Sequence, residues 1–241
     1  MRLADYAGLI SHMPVSNQAF ASRRATWSAH IDREHVAGRA LRSIFGASDE
    51  VFLSRSDLRQ FASQTDLAEF VIATIIWGYP RGMRGNHFAN MLGHIDLLCE
   101  LLSAVRSRPI SDWNSHYETL RPIKGIGLST YTKLLHFLSV RVGNREALIL
   151  DQRIIDAARQ SRFEELVPIC GLNPFNAERR YPEYLECMNR IALQLSVPPE
   201  RIEFFLFEFG LHLKPERDRP VEEVGARNTR NKSANHDELL D

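Results

Sequence analysis

Residues 66–77, DLAEFVIATIIW, are apolar on nearly every side. At 3.6 residues per turn such a segment has no face to give to water, so as a helix it must run through the middle of the molecule. A central helix needs amphipathic helices around it, and the chain supplies them. Residues 86–105 put Phe88, Met91, Leu92, Ile95, Leu98, Leu101 and Leu102 on one helical face. Residues 111–120 read as a short helix capped by Ser111, and 129–140, 152–160 and 179–195 read as three more. Residues 198–213 open on prolines, which suit a first helical turn. The first 60 residues also read as helical, with softer boundaries around Pro14 and Gly46. Strand-like alternation is missing, and residues 147–150 are too short to decide. These patterns predict an all-α helical bundle over residues 1–214. Residues 215–241 hold few bulky apolar side chains and many charges, and are expected to form a disordered tail.

Charge narrows the functional classes. Lys+Arg and Asp+Glu are 30 each, so the net charge is zero and no global field attracts nucleic acid. Any DNA binding must come from a local patch or from backbone groups. The three cysteines, Cys99, Cys170 and Cys187, are far apart and form no CxxC, which excludes a zinc finger or a four-cysteine iron–sulfur cluster. His87 and His94 share a helix without a third ligand, so no metal site is expected. Residues 1–6 lack the apolar stretch of a signal peptide and no run is long enough to span a bilayer, so a cytoplasmic protein is expected.

The informative stretch is 120–158, LRPIKGIGLSTYTKLLHFLSVRVGNREALILDQRIIDAA. Pro122 blocks one helix, Gly125-Ile126-Gly127 allows a tight turn, and Ser129 opens the next helix. Ile126 is expected to plug the space between the two helices. Two helices joined this way leave free backbone N–H groups at the second N-terminus, where they and the helix dipole can hold a phosphate. Such a site needs no net positive charge.

This segment resembles the helix-hairpin-helix and Gly/Pro-rich-loop signature, with its following aspartate, of the DNA glycosylase superfamily. Ile123-Lys124-Gly125-Ile126-Gly127-Leu128-Ser129-Thr130 matches the hairpin, and Ala147-Leu148-Ile149-Leu150-Asp151 matches the approach to the aspartate. The resemblance implies an all-α glycosylase fold of the 8-oxoguanine or adenine glycosylase kind, without an iron–sulfur cluster. It implies DNA carrying a modified base as partner, a monomer, and no required cofactor beyond a monovalent cation at the hairpin. Lys124, Gly125, Ile126, Gly127, Ser129 and Thr130 are then the expected DNA contacts. The sequence departs from the pattern in three places. Lys124 stands where the family has Pro, residues 140–146 lengthen the loop, and Ser129 stands where lyase-type members carry a Schiff-base lysine.

Asp151 suits the chemistry, because cleaving an N-glycosidic bond passes through an oxocarbenium-like state that a desolvated carboxylate stabilises. Its simpler role is to cap the helix that follows. Lys133 lies four residues after Ser129 on the same face, one turn deeper, and is a candidate amine nucleophile or a phosphate-contacting lysine. Residues 77–86, WGYPRGMRGN, mix aromatic, glycine and arginine residues. Trp77, Tyr79, Arg81 and Arg84 are expected to shape a pocket for a flipped base, unless the loop is only a connector. The last helix carries Phe204, Phe205, Phe207 and Phe209 beside Glu203 and Glu208, and Phe209 is placed by resemblance as the stacking aromatic. His136 is expected to face away from Ser129. A non-catalytic DNA-binding module, and an interaction protein whose hairpin is only a turn, are the rival readings.

Overall fold

A computed structural model describes residues 1–28, 31, 35–160 and 162–213. The chain runs α1 (Ala7–Ser11), β1 (Ala19–Arg23), α2 (Arg24–Ser28), α3 (Val36–Phe45), β2 (Glu50–Ser54), α4 (Arg55–Ser63), α5 (Leu67–Gly78), α6 (His87–Leu92) and α7 (Ile95–Ser107). It continues with α8 (Trp113–Glu118), α9 (Leu128–Phe137), β3 (Arg141–Val142), β4 (Arg145–Glu146), α10 (Gln152–Arg159), α11 (Tyr181–Leu195) and α12 (Pro199–Phe209). The described residues therefore form a helical bundle with two short β ribbons. The expected tail, 215–241, lies outside the described residues.

α5 is the central helix. Asp66 caps it by accepting from the N–H groups of Ala68 and Glu69, and every residue from Phe70 to Trp77 is buried. Each large apolar side chain removed from water there contributes about 2 kcal/mol. It packs against α3, α4, α7 and α9. Among the described residues no helix is long and apolar enough to cross a membrane.

Several local expectations need correction. The first 60 residues are not all helical, since β1 and β2 pair antiparallel, Ala19 opposite Ser54 through Arg23 opposite Glu50. Val51, Phe52 and Leu53 are contiguous, which hides the period of two, and the partner strand is distant in sequence. Residues 86–105 form two helices, because Gly93 ends α6 and His94 begins α7. Glycine gives up too much backbone freedom to carry a helix cheaply through that point. Asp112, not Ser111, caps α8, with its Oδ1 accepting from Ser115 N at 3.1 Å. The inserted loop is the β3–β4 hairpin, turned at Gly143 with φ +61°.

Residues 147–150 are buried and belong to neither a helix nor a sheet. Buried backbone groups must find partners; Ala147 N donates to Val140 O at 2.9 Å, and side chains supply others. His136 Nδ1 bonds Ala147 O at 2.9 Å, and Tyr181 Oη meets Leu148 N at 3.1 Å and Leu148 O at 2.7 Å. Tyr184 Oη donates to Ile149 O at 2.8 Å, and Leu150 N donates to Thr132 Oγ1 at 3.1 Å. α9 and α11 thus clamp the segment that delivers Asp151.

Candidate active site

Asp151 is the N-cap of α10. Its Oδ1 accepts from Arg153 N at 3.0 Å and Ile154 N at 3.1 Å. That leaves Oδ2, which faces Lys133 Nζ across 3.9 Å. Both side chains are largely buried, Lys133 at 7% and Asp151 at 14% exposure. Side chains on a helix lean toward its N-terminus, so the lysine reaches back one turn of α9. There Nζ donates to Ser129 Oγ at 2.7 Å and to Ser129 O at 3.3 Å. The ammonium lies 5.9 Å from the ring centre of Tyr79.

Lys133 and Asp151 line one cavity of about 220 Å³ with Phe20, Arg55, Trp77, Gly78, Pro80, Ile149, Glu203 and Phe207. Its walls are aromatic and its floor is charged. Arg55 and Glu203 form a fully buried bidentate pair, Nη1–Oε2 2.8 Å and Nη2–Oε1 3.0 Å, while Arg55 Nε donates to Gln18 Oε1 at 2.7 Å. The guanidinium also lies 5.6 Å from the Trp77 ring centre. Burial pushes the Glu203 carboxyl above the usual carboxylate range, and the Arg55 charge opposes that rise. Gly78 makes room for the lysine, since a Cβ there would sit 3.1 Å from Lys133 Cδ and 3.3 Å from Cε.

A second opening, a groove of about 690 Å³, runs beside the cavity. Tyr79, Gly82, Met83, Arg84 and His87 line one side, and Gly125, Ile126, Gly127, Thr130 and Gln152 line the other. Tyr79 Oη and Thr130 Oγ1 are hydrogen-bonded at 2.8 Å across it. Gly125 has φ +92°, and a Cβ there would meet His87 O at 2.2 Å, so only glycine lets the turn dock against α6. Gly127 is exposed, with nothing within 4 Å of an added Cβ. The α9 N-terminus at Gly127 has no side-chain cap.

A family model described as "Putative 8-oxoguanine DNA glycosylase OGG-like protein" matches residues 13–207. The chain belongs to this family. No curated protein and no solved structure matches it.

The cavity gathers some of the expected residues and leaves others out. Asp151, Lys133 and Trp77 line it. Gly125, Ile126, Gly127, Thr130, Tyr79 and Arg84 line the neighbouring groove, and Lys124 is exposed beside them. Ser129, expected among the DNA contacts, is half-buried with its hydroxyl on the lysine. Arg81 is exposed and lines neither opening. Phe209 is misplaced by the sequence reading. It packs on Phe205 at 5.4 Å between ring centres, and Phe207 lines the cavity instead, with Arg153 stacked 4.6 Å from its ring centre. The buried plug under the turn is Ile123, at 3% exposure, whereas Ile126 is half-buried on the groove.

Phe20 and Arg55 escaped the sequence reading, whereas Gly78 lies in the 77–86 loop it singled out. Phe20 comes from the unforeseen ribbon, and Arg55 sits in a helix that reads as polar. Glu203 did carry a signal, a charge inside an aromatic run, and such a charge has to find a partner when buried. Among the described residues no group of three or more His, Cys, Asp or Glu side chains converges to hold a metal ion.

Proposed function

We propose that this chain is a DNA glycosylase that takes an oxidised or hypermodified base out of the duplex and cleaves its N-glycosidic bond. One observation carries the reading. A lysine amine and an aspartate carboxylate, both desolvated, share a base-sized aromatic cavity next to an uncapped helix N-terminus. The phosphate backbone would lie on the groove, held by the amides of Gly125 to Thr130 and by Lys124 and Arg84. The flipped base would enter between Phe20, Trp77 and Phe207. As the C1′–N bond breaks, the base leaves with the electron pair and positive charge grows on the sugar. Asp151 Oδ2 faces that charge and stabilises it. The neutral form of the Lys133 amine then bonds to C1′, and ring opening gives an imine that also supports strand cleavage. All these groups come from one chain, so no second subunit is required, and no cofactor is part of the scheme.

The test uses labelled duplexes carrying 8-oxoguanine, uracil, alkylated purines or hypermodified pyrimidines, each analysed directly and after hot alkali. Breaks without alkali that vanish in Lys133→Gln are the expected result, and Asp151→Asn abolishes base release. Breaks only after alkali, unaffected by Lys133→Gln, would assign the nucleophile to water. Salt-sensitive binding with no breaks on any duplex, unchanged in Asp151→Asn, would reduce the protein to a DNA-binding module.

A further inference from the structure

The lysine's immediate partner is not the carboxylate. Lys133 Nζ bonds Ser129 Oγ at 2.7 Å, while Asp151 Oδ2 stands off at 3.9 Å, beyond hydrogen-bond range. From this we infer that Ser129 is a positioning residue, whose hydroxyl holds the Lys133 amine out of contact with Asp151 and so keeps it available as a nucleophile. The inference rests on the proposed role of Lys133.

Two acceptors compete for the amine. An ammonium in contact with a carboxylate is stabilised in its protonated form and has no lone pair to offer. The charged or titratable groups around this amine are Asp151 at the start of α10, Glu203 on α12, Arg55 on α4 and Tyr79 after α5. Glu203 is occupied by Arg55, so Asp151 is the carboxylate left to compete. The Ser129 hydroxyl is neutral and accepts the bond without adding charge. It also leaves Asp151 Oδ2 free for the sugar cation. Removing the hydroxyl leaves Nζ with the weak contact to Ser129 O and an open path to Asp151. Closing 3.9 Å to hydrogen-bond contact strengthens the attraction between the two charges and favours the protonated amine over the neutral one, on the order of tenfold at the dielectric of a partly buried site.

Abasic duplex DNA with borohydride reads the amine without any base recognition. The amine adds to the C1′ aldehyde, water leaves, and borohydride delivers hydride to the iminium, so a stable protein–DNA crosslink forms. The rate is measured against pH for wild type, Ser129→Ala, Ser129→Thr and Lys133→Gln, with melting curves to show that each is folded. The expected result is no crosslink for Lys133→Gln. In Ser129→Ala crosslinking is about tenfold slower on the acid side of the profile and approaches the wild-type rate on the alkaline side, and Ser129→Thr restores the wild-type profile. An unchanged profile in Ser129→Ala, or a loss equal at every pH, overturns the positioning role while leaving the glycosylase reading intact. Wild type that never crosslinks overturns the lysine's role and this inference together, and base release with alkali-dependent breaks would still stand on its own.

Discussion

Asp151 gives one oxygen to the backbone and one to the cavity, so its two roles are separable by substitution. Asn and Ser also cap helices, whereas Ala does not. Asp151→Asn and Asp151→Ser are expected to melt near wild type, and Asp151→Ala to lose about 1 kcal/mol. All three are expected to lose base release. Melting curves beside the excision assay check both halves; an active Asp151→Ser would make the carboxylate's role purely structural. The sequence offered a cap and a desolvated carboxylate together, because the aspartate follows an apolar run and precedes a helix, and the cap is the part the contacts display. It also showed that Lys133 lies one turn beyond Ser129. What it could not show is the direction of the lysine. That follows from the lean of α9 side chains and from the missing side chain of Gly78, a contact between two helices far apart in sequence.

At the scale of elements, the turn and the buried segment 147–150 set the site. The two glycines of the turn are not equivalent. Gly125→Ala forces a left-handed alanine into the carbonyl of His87, so it is expected to destabilise the protein by more than 2 kcal/mol. Gly127→Ala meets nothing, costs under about 1 kcal/mol, and is expected to weaken DNA binding by crowding the amides. Calorimetry together with salt-dependent DNA retention separates the two. Both glycines stand out in the sequence as a pair, and only the packing of α6 distinguishes them. The buried segment reads poorly from sequence because most of its backbone partners are side chains. Removing one of these, Tyr184→Phe, leaves Ile149 O without its partner and is expected to cost about 1–3 kcal/mol in chemical denaturation. The ribbon β1–β2 was illegible for a related reason, since pairing partners some thirty residues apart leave no local period.

Across the whole molecule, α4 and α12 are tied by Arg55 and Glu203, neither of which touches water. Breaking such a pair strands a buried charge, so Arg55→Met and Glu203→Gln are each expected to cost about 3–5 kcal/mol. Replacing both with apolar residues is expected to cost less than either alone. A double-mutant cycle in denaturant measures this, and additive costs would mean that the pair does not act as a unit. His136 adds a pH dependence. Burial first, then the nearby Arg55 and Arg59 charges, pushes its pKa down to about 3, and its Nε2 finds no hydrogen bond although Glu200 Oε2 is 3.7 Å away. The folded protein keeps this ring neutral while the unfolded chain protonates it below about pH 6.5. Its contribution is therefore complete above pH 6.5 and shrinks as pH falls toward 3, by about 2 kcal/mol at pH 5. Melting temperature against pH, compared with His136→Gln, is expected to show a flatter curve for the variant. The core that makes these effects possible was legible, because the apolar helix at 66–77 placed it. The charged floor was not, because its halves lie 148 residues apart. That separation has a consequence for heredity. The cavity draws on residues from Phe20 to Phe207, and the family match ends at 207, on the last of them. A crossover inside that span, between relatives that differ at these positions, would join one parent's lysine to part of the other parent's wall.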